Sequence, residues 1–309
     1  MSESDANGTG GRAPQAGGVL RRAAGLLSGP AIVVVIAYCM AAGYMYLNQR
    51  GFVFVPTGTL SAPAEKGLPG VDVETVAMAD GTRVAVWRAG PTRPGAPTVV
   101  YFHGNSGNVS SRSNRFRRIL DSGFGLYAPS YRGYAGSEGS PSEAALISDA
   151  LEHFDRAARS GAPVVLHGES LGTGVATAVA AARPQAGLLV LEAPYTALVD
   201  LASAQYPWLP VTLLMKDPMP TRDRIGDVAA PVLIVHGSKD RLIPVAHGRD
   251  LFERAGDPKR SVIVDGAGHG DLWDKGLWNA VLETWRDTRL CALPEERREG
   301  GNSLDVADC

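Results

Sequence analysis

Apolar and polar positions along the chain fall into distinct regimes. Residues 1–22 are polar and glycine-rich, with few large apolar side chains, and are expected to be disordered. From Ala23 to Leu47 no charged residue occurs, and the centre reads AIVVVIAYCMAAGYMYL. Residues 48–70 form a Pro/Gly-rich connector. Beyond it, short β-branched apolar runs alternate with longer amphipathic stretches. The runs Val71–Met78 and Thr82–Trp87 flank Asp80-Gly81, a hairpin signal. Further strands are expected at Thr98–Phe102, Gly125–Ala128, Val164–Leu166, Leu188–Leu191, Val232–Val235 and Ser261–Val264. Helices are expected at Ser142–Arg159, Leu171–Ala182, Val245–Ala255 and Asp271–Arg286. A hairpin followed by repeated strand–helix units predicts a mostly parallel sheet with helices on both faces. The main domain therefore spans 71–290, with a tail at 291–309. Residues 195–228 break the rhythm and read as a lid-like insertion over the sheet's C-terminal edge.

The uncharged stretch is long enough to cross a bilayer, which takes about 20 apolar residues. Arg12, Arg21 and Arg22 precede it, whereas the other flank offers mainly Arg50. This asymmetry predicts a cytoplasmic N-terminus and a domain on the outer side. A cleaved signal peptide is the competing reading, with Ala41-Ala42-Gly43 as its small-residue site. The Gly25–Gly29 spacing is too weak a signal to predict helix pairing.

Composition narrows the choice of partner. The formal net charge of -2 gives no electrostatic reason to expect nucleic acid. Cys39, Cys291 and Cys309 form no metal-ligand spacing. Cys291 and Cys309 could pair in an oxidising compartment or remain two tail thiols.

The chemistry concentrates at His167-Gly168-Glu169-Ser170-Leu171-Gly172, which follows an apolar strand and opens an Ala-rich helix. That is the strand–turn–helix setting of a G-x-S-x-G nucleophile elbow. A serine hydroxyl needs a base to take its proton. His269, in a glycine-flanked loop after the last strand, is placed to serve. Asp240, in the exit loop of the preceding strand, is the carboxylate expected to orient it. Asp265 and Asp271 are rivals, but both lie too close to His269 in sequence. The oxyanion donors expected are the backbone N–H groups of Leu171 and Asn105. His103 is expected to organise the Asn105 loop, and His153, His167, His236 and His247 to be structural. Trp208, Leu209, Leu213, Leu214 and Met215 read either as an acyl pocket or, preferably, as the core of the insertion.

These stretches, with Tyr101–Asn108, Tyr131–Gly139, Gly168–Ala176, His236–Asp240 and Gly268–Gly270, resemble the bem46-type branch of the α/β-hydrolase superfamily, related to the ABHD13 and ABHD17 hydrolases. The resemblance covers about Tyr44 to Trp285. It implies an α/β-hydrolase fold, a serine hydrolase acting on esters or thioesters, and no cofactor. The chain lacks the N-terminal cysteine cluster of depalmitoylating relatives, so that role does not carry over. The expected substrate is a small-molecule or lipid-like ester. A serine peptidase and a non-catalytic scaffold on the same fold remain as alternatives.

Overall fold

The computed structural model describes residues 17–291, and the chain divides after Asn48 into two units. Residues 1–16, the tail beyond Cys291 and the proposed Cys291–Cys309 pairing lie outside the described residues. In the first unit a helix, α1 (Gly17–Val53), runs through the apolar stretch and continues into the second unit. Within it Gly29–Val53 is long and apolar enough to cross a membrane, and Ile32 to Ile36 are all exposed. The helix departs from expectation at both ends. Residues 17–22 are helical, since Leu20, Arg21 and Arg22 favour helix once an apolar run propagates it. Residues 48–53, assigned to the connector, form the final turn.

The second unit is built on one sheet. Its strands are β2 (Asp72–Ala77), β3 (Arg83–Ala89), β4 (Thr98–Phe102), β6 (Gly125–Pro129), β7 (Val164–Glu169), β8 (Leu188–Glu192), β9 (Val232–Gly237) and β10 (Lys259–Val264). Their order across the sheet is β10-β9-β8-β7-β4-β6-β3-β2, and only β3 runs against its neighbours. Two short strands, β1 (Val55–Pro56) and β5 (Ser106–Gly107), pair in parallel beside it. The central strands are apolar without alternation because both faces are covered. Val100 and Phe102 of β4 face one core, whereas Val99 and Tyr101 face the other. The first core takes Leu146 and Phe154 of α3 (Glu143–Ala158), Val175 and Val179 of α4 (Leu171–Ala182), and Leu251 of α8 (Val245–Arg254). The second takes Phe116 and Ile119 of α2 (Ser113–Asp121) with Trp278, Val281 and Trp285 of α9 (Leu277–Cys291). The protein has the α/β-hydrolase fold.

Three local findings differ from the sequence pattern. Helix α2 is not signalled by the sequence pattern, because its buried face is only Phe116 and Ile119 within an arginine-rich run. Helix α9 starts at Leu277 instead of Asp271, after Gly276 takes a φ of 97° that interrupts helix. The insertion at 195–228 holds short helices α5 (Leu198–Gln205), α6 (Val211–Leu214) and α7 (Thr221–Arg224). Its second part belongs to the main core, with Met219, Thr221 and Ile225 fully buried. In its first part Tyr195 and Ala197 are buried and Leu198 and Leu201 pack against that core, but neither α5 nor α6 contains a buried residue, and Leu213 is 84% exposed. The expectation that Trp208–Met215 form the insertion's interior is therefore overturned. The four-residue α6 is too short to present a buried face of its own.

Helix α4 lies unusually close to the sheet because its sequence, LGTGVATAVAAA, offers mainly small side chains. The approach is tightest at Gly172, where an added Cβ would stand 2.7 Å from the carbonyl carbon of Phe102. Backbone cannot yield there as a flexible side chain would. Gly172→Ala is expected to cost about 1–3 kcal/mol by overpacking. Thermal unfolding reads this directly, and an unchanged melting temperature would show that the helix has room to move away.

Candidate active site

The carboxyl ends of β7, β9 and β10 converge on one edge of the sheet, where α/β proteins place their sites. Between β7 and α4 the chain turns within one residue. Ser170 has φ 50° and ψ -112°, a conformation that L-residues occupy only under constraint. The constraint is visible on both sides. The Ser170 N–H donates to Glu192 O at 2.9 Å, and a Cβ on Gly168 would meet Thr173 Cα at 2.6 Å. The turn therefore projects the Ser170 side chain at the start of α4.

His269 and Asp240 reach the same point from β10 and β9. Ser170 Oγ lies 3.0 Å from His269 Nε2, and His269 Nδ1 lies 2.7 Å from Asp240 Oδ2. A carboxylate only accepts, so Nδ1 carries the proton and Nε2 is left to accept from the serine hydroxyl. Asp240 Oδ1 takes two further hydrogen bonds, from the N–H groups of Leu242 and Ile243, both at 2.9 Å. Burial alone would raise the Asp240 pKa. Hydrogen bonds from His236, His269 and the Ile243 amide outweigh it and hold the carboxyl well below its ordinary range. The rivals have other tasks. Asp271 accepts from Gly268 N at 2.8 Å and pairs with Lys275, and Asp265 accepts from Ser238 Oγ. His236, expected to be merely structural, also touches the site: its Nε2 lies 3.4 Å from Asp240 Oδ2.

Asn105 is held from behind. Its carbonyl accepts from Val55 N at 3.0 Å and Tyr134 OH at 2.6 Å. The peptide that carries its N–H is fixed through Gly104 O, which lies 2.8 Å from His103 Nδ1. Burial pushes the His103 pKa down to about 4, so near neutral pH the ring is uncharged and donates from Nδ1. Because trans-peptide N–H and C=O point in opposite directions, holding the Gly104 oxygen aims the Asn105 N–H away from His103. The Leu171 N–H belongs to the first turn of α4 and has no intrahelical acceptor.

Sequence reasoning missed the ionic cluster beneath the elbow. Glu169, the first variable residue of the motif, is gripped by Arg112 through Nε–Oε2 at 3.0 Å and Nη2–Oε1 at 2.9 Å. Arg115 lies 3.0 Å from Glu169 Oε2 and 3.1 Å from Glu192 Oε1. Tyr101 OH donates to Glu169, and Trp273 Nε1 donates to Glu192 at 2.9 Å. Burial alone would raise the Glu169 pKa, but the Arg115 and Arg112 guanidiniums hold it well below the ordinary carboxylate range. Arg112 also donates to Ser106 O at 2.7 Å, which ties the elbow to the Asn105 loop. The signal was present in the sequence: two glutamates end adjacent apolar strands, and in register Glu169 faces Glu192. Two buried carboxylates side by side require cations.

Two predictions follow from this arrangement. Arg112→Met should destabilise the fold by about 3–5 kcal/mol, because it leaves a buried carboxylate underpaired. Combined with Glu169→Leu, the loss in denaturant unfolding should be smaller than the sum by about 1–3 kcal/mol. Strict additivity would show the pair to be uncoupled. The second concerns pH. His103 protonates near its ordinary value of 6.5 in the unfolded chain but near 4 when folded, and burial likewise lowers His153 to about 3. Below pH 6.5 the unfolded state thus binds more protons, so stability should fall between pH 6.5 and 5. A melting temperature flat across that interval would contradict the assigned neutral imidazoles.

Comparisons with known proteins agree with the fold. Residues 94–221 match the family model described as "Serine aminopeptidase, S33". The chain is 36% identical over 252 residues to "Uncharacterized protein Rv2307c" of Mycobacterium tuberculosis, covering 77% of this chain and 88% of that protein. It is also 36% identical over 197 residues to human "Protein ABHD12B", covering 57% of this chain and 54% of that protein. Among solved structures, the Pyrococcus furiosus esterase Pf2001 superposes with a TM-score of 0.62 at 14% identity, over 76% of this chain and 97% of that one, a likeness of fold alone. With that architecture and those relatives, the chain belongs to the alpha/beta-hydrolase family.

Proposed function

We propose that the protein is a membrane-anchored serine hydrolase of the bem46-type branch that cleaves carboxylic ester or thioester bonds through an acyl-enzyme on Ser170. The observation that carries this reading is the continuous chain from Ser170 Oγ through His269 to Asp240, at 3.0 and 2.7 Å, on a strained turn. In the mechanism, Ser170 Oγ attacks the acyl carbon while His269 Nε2 takes its proton. Asp240 holds the imidazole and stabilises the positive charge that it gains. The tetrahedral oxyanion is bound by the N–H groups of Leu171 and Asn105. His269 then protonates the leaving alcohol or thiol, and water repeats the sequence to release the acid.

In this proposal residues 23–47, continued helically to Val53, are the anchor. The N-terminus is cytoplasmic and the catalytic domain of 71–290 lies on the outer side. The apolar Gly29–Val53 segment and the preceding arginines support that arrangement. The family model's description favours one second reading, a serine aminopeptidase on the same triad. The two readings share their nucleophile and differ in substrate.

The test is hydrolysis of a graded series of p-nitrophenyl acyl esters beside aminoacyl p-nitroanilides. Wild type should turn over part of the ester series, and Ser170→Ala should lower kcat by about 10³-fold or more while remaining folded. Cleavage of the anilides alone would favour the peptidase. Folded wild-type protein inert on both series would leave a non-catalytic scaffold.

A further inference from the structure

The last turn of α1 is bonded to the segment Leu214–Asp217. Gln49 Nε2 donates to Leu214 O at 3.1 Å, and Gln49 Oε1 accepts from Lys216 N at 2.7 Å. Arg50 Nε pairs with the buried Asp217 at 2.8 Å. One residue after the helix, Phe54 is buried in the main core. The next residue, Val55, begins β1 and donates its N–H to Asn105 O. Thr57 continues the grip: its Oγ1 accepts from Gly107 N at 3.1 Å and its carbonyl from Asn108 Nδ2 at 3.0 Å. Within nine residues, therefore, the chain that ends the apolar helix binds both the α6 segment and the loop carrying Asn105. A plain tether would make neither set of contacts.

Three of the exposed apolar residues lie on or beside these segments, and a fourth follows Asp240. Among the described residues after Asn48, five large hydrophobic residues are exposed: Phe52, Val73, Trp208, Leu213 and Leu242. Phe52 lies on that final helical turn. Trp208 and Leu213 lie on the segment that leads into Leu214 and Lys216. Leu242 follows Asp240 by two residues, and its N–H is bonded to that carboxylate. Only Val73 is remote, on the edge strand β2. Leu213 at 84% exposure is an unfavourable choice in water, and it sits one residue from the carbonyl that receives Gln49.

We infer that the face formed by the end of α1, the α6 segment and the loop after Asp240 rests on the lipid surface, so that the ester reaching Ser170 is carried by an amphiphile resident in the bilayer. The inference rests on the reading of α1 as an anchor and Ser170 as nucleophile. It goes further by assigning the occupant of this face and the route of the substrate. The end of a membrane-crossing helix must lie at the bilayer interface, and residues hydrogen-bonded to that end are held there with it. Apolar side chains there can leave water for the boundary between headgroups and acyl chains.

The experiment uses the full chain reconstituted in phosphatidylcholine vesicles, with Cys39, Cys291 and Cys309 replaced by serine. An environment-sensitive dye is attached at Leu213→Cys or, for comparison, at Val73→Cys. Nitroxide-labelled lipid with its spin label near the headgroup should quench position 213 strongly and position 73 little. Equal quenching at the two positions overturns the docking face, whatever the enzyme's activity. Leu213→Glu, compared with wild type, then tests the route. Hydrolysis of a vesicle-embedded long-chain acyl ester should fall about tenfold, while a water-soluble short-chain ester is cleaved within about twofold of wild type. Equal effects on both esters overturn delivery from the bilayer. Wild type inert on both esters defeats the hydrolase reading, and the quenching result still decides the face.

Discussion

The close approach of α4 to the strands β4 and β7 is the constraint on which the rest of the site depends. It brings Gly172 against the Phe102 and His103 carbonyls and Gly168 against Thr173, distances that allow no side chain at either glycine. With the helix pressed this far into the sheet, the chain has one residue in which to change from strand to helix. Ser170 accepts the unfavourable backbone angles that result. The same approach sets the first turn of α4 beside the loop after β4. The proposed oxyanion donors, the N–H groups of Leu171 and Asn105, come from these two separate elements.

Such a turn needs support from below, and the support is ionic. The carboxylates of Glu169 and Glu192 end neighbouring strands and would repel each other in a medium of low polarity. Arg112 and Arg115, three residues apart on and before α2, neutralise them from one side. Arg112 also reaches Ser106, so the elbow and the loop opposite it share one guanidinium. Tyr101, His167 and Trp273 close the cluster with hydrogen bonds and stacked rings. A group that holds two loops by several bonds in fixed directions limits their independent motion. The proposed acyl transfer would need its oxyanion donors held in this way.

The Asn105 loop has a second support, of a different origin. Its carbonyl side is held by Val55 and Tyr134, and its Gly104 carbonyl by a neutral buried histidine. Because Val55 stands two residues beyond the end of α1, the segment that leaves the apolar helix is structurally part of the site. Composition alone marks residues 48–70 only as a Pro/Gly-rich connector. The hydrogen bonds of Gln49, Arg50, Val55 and Thr57 fasten the start of this segment to the rest of the second unit.

Periodicity and local motif were enough to read the layered α/β architecture, the helix α4 from Leu171 to Ala182, the elbow around Ser170, and the order of Ser170, Asp240 and His269 along the chain. These features are local, or follow from one strand succeeding another, so the sequence by itself determined them. Other features were decided only by tertiary structure. Helix α2 gains its place from Phe116 and Ile119 meeting the sheet, and its arginines gain their partners from the register of β7 with β8. Whether Asp240 or its rivals meets His269 depends on where loops from β9 and β10 end in space. The exposure of Leu213 and the fastening of residues 49–57 depend on contacts between segments more than 45 residues apart. The physical reason is the same in each case. Propensity and hydropathy act between neighbours in sequence, whereas charge pairing and hydrogen bonding across a sheet edge depend on distances that only the folded chain sets.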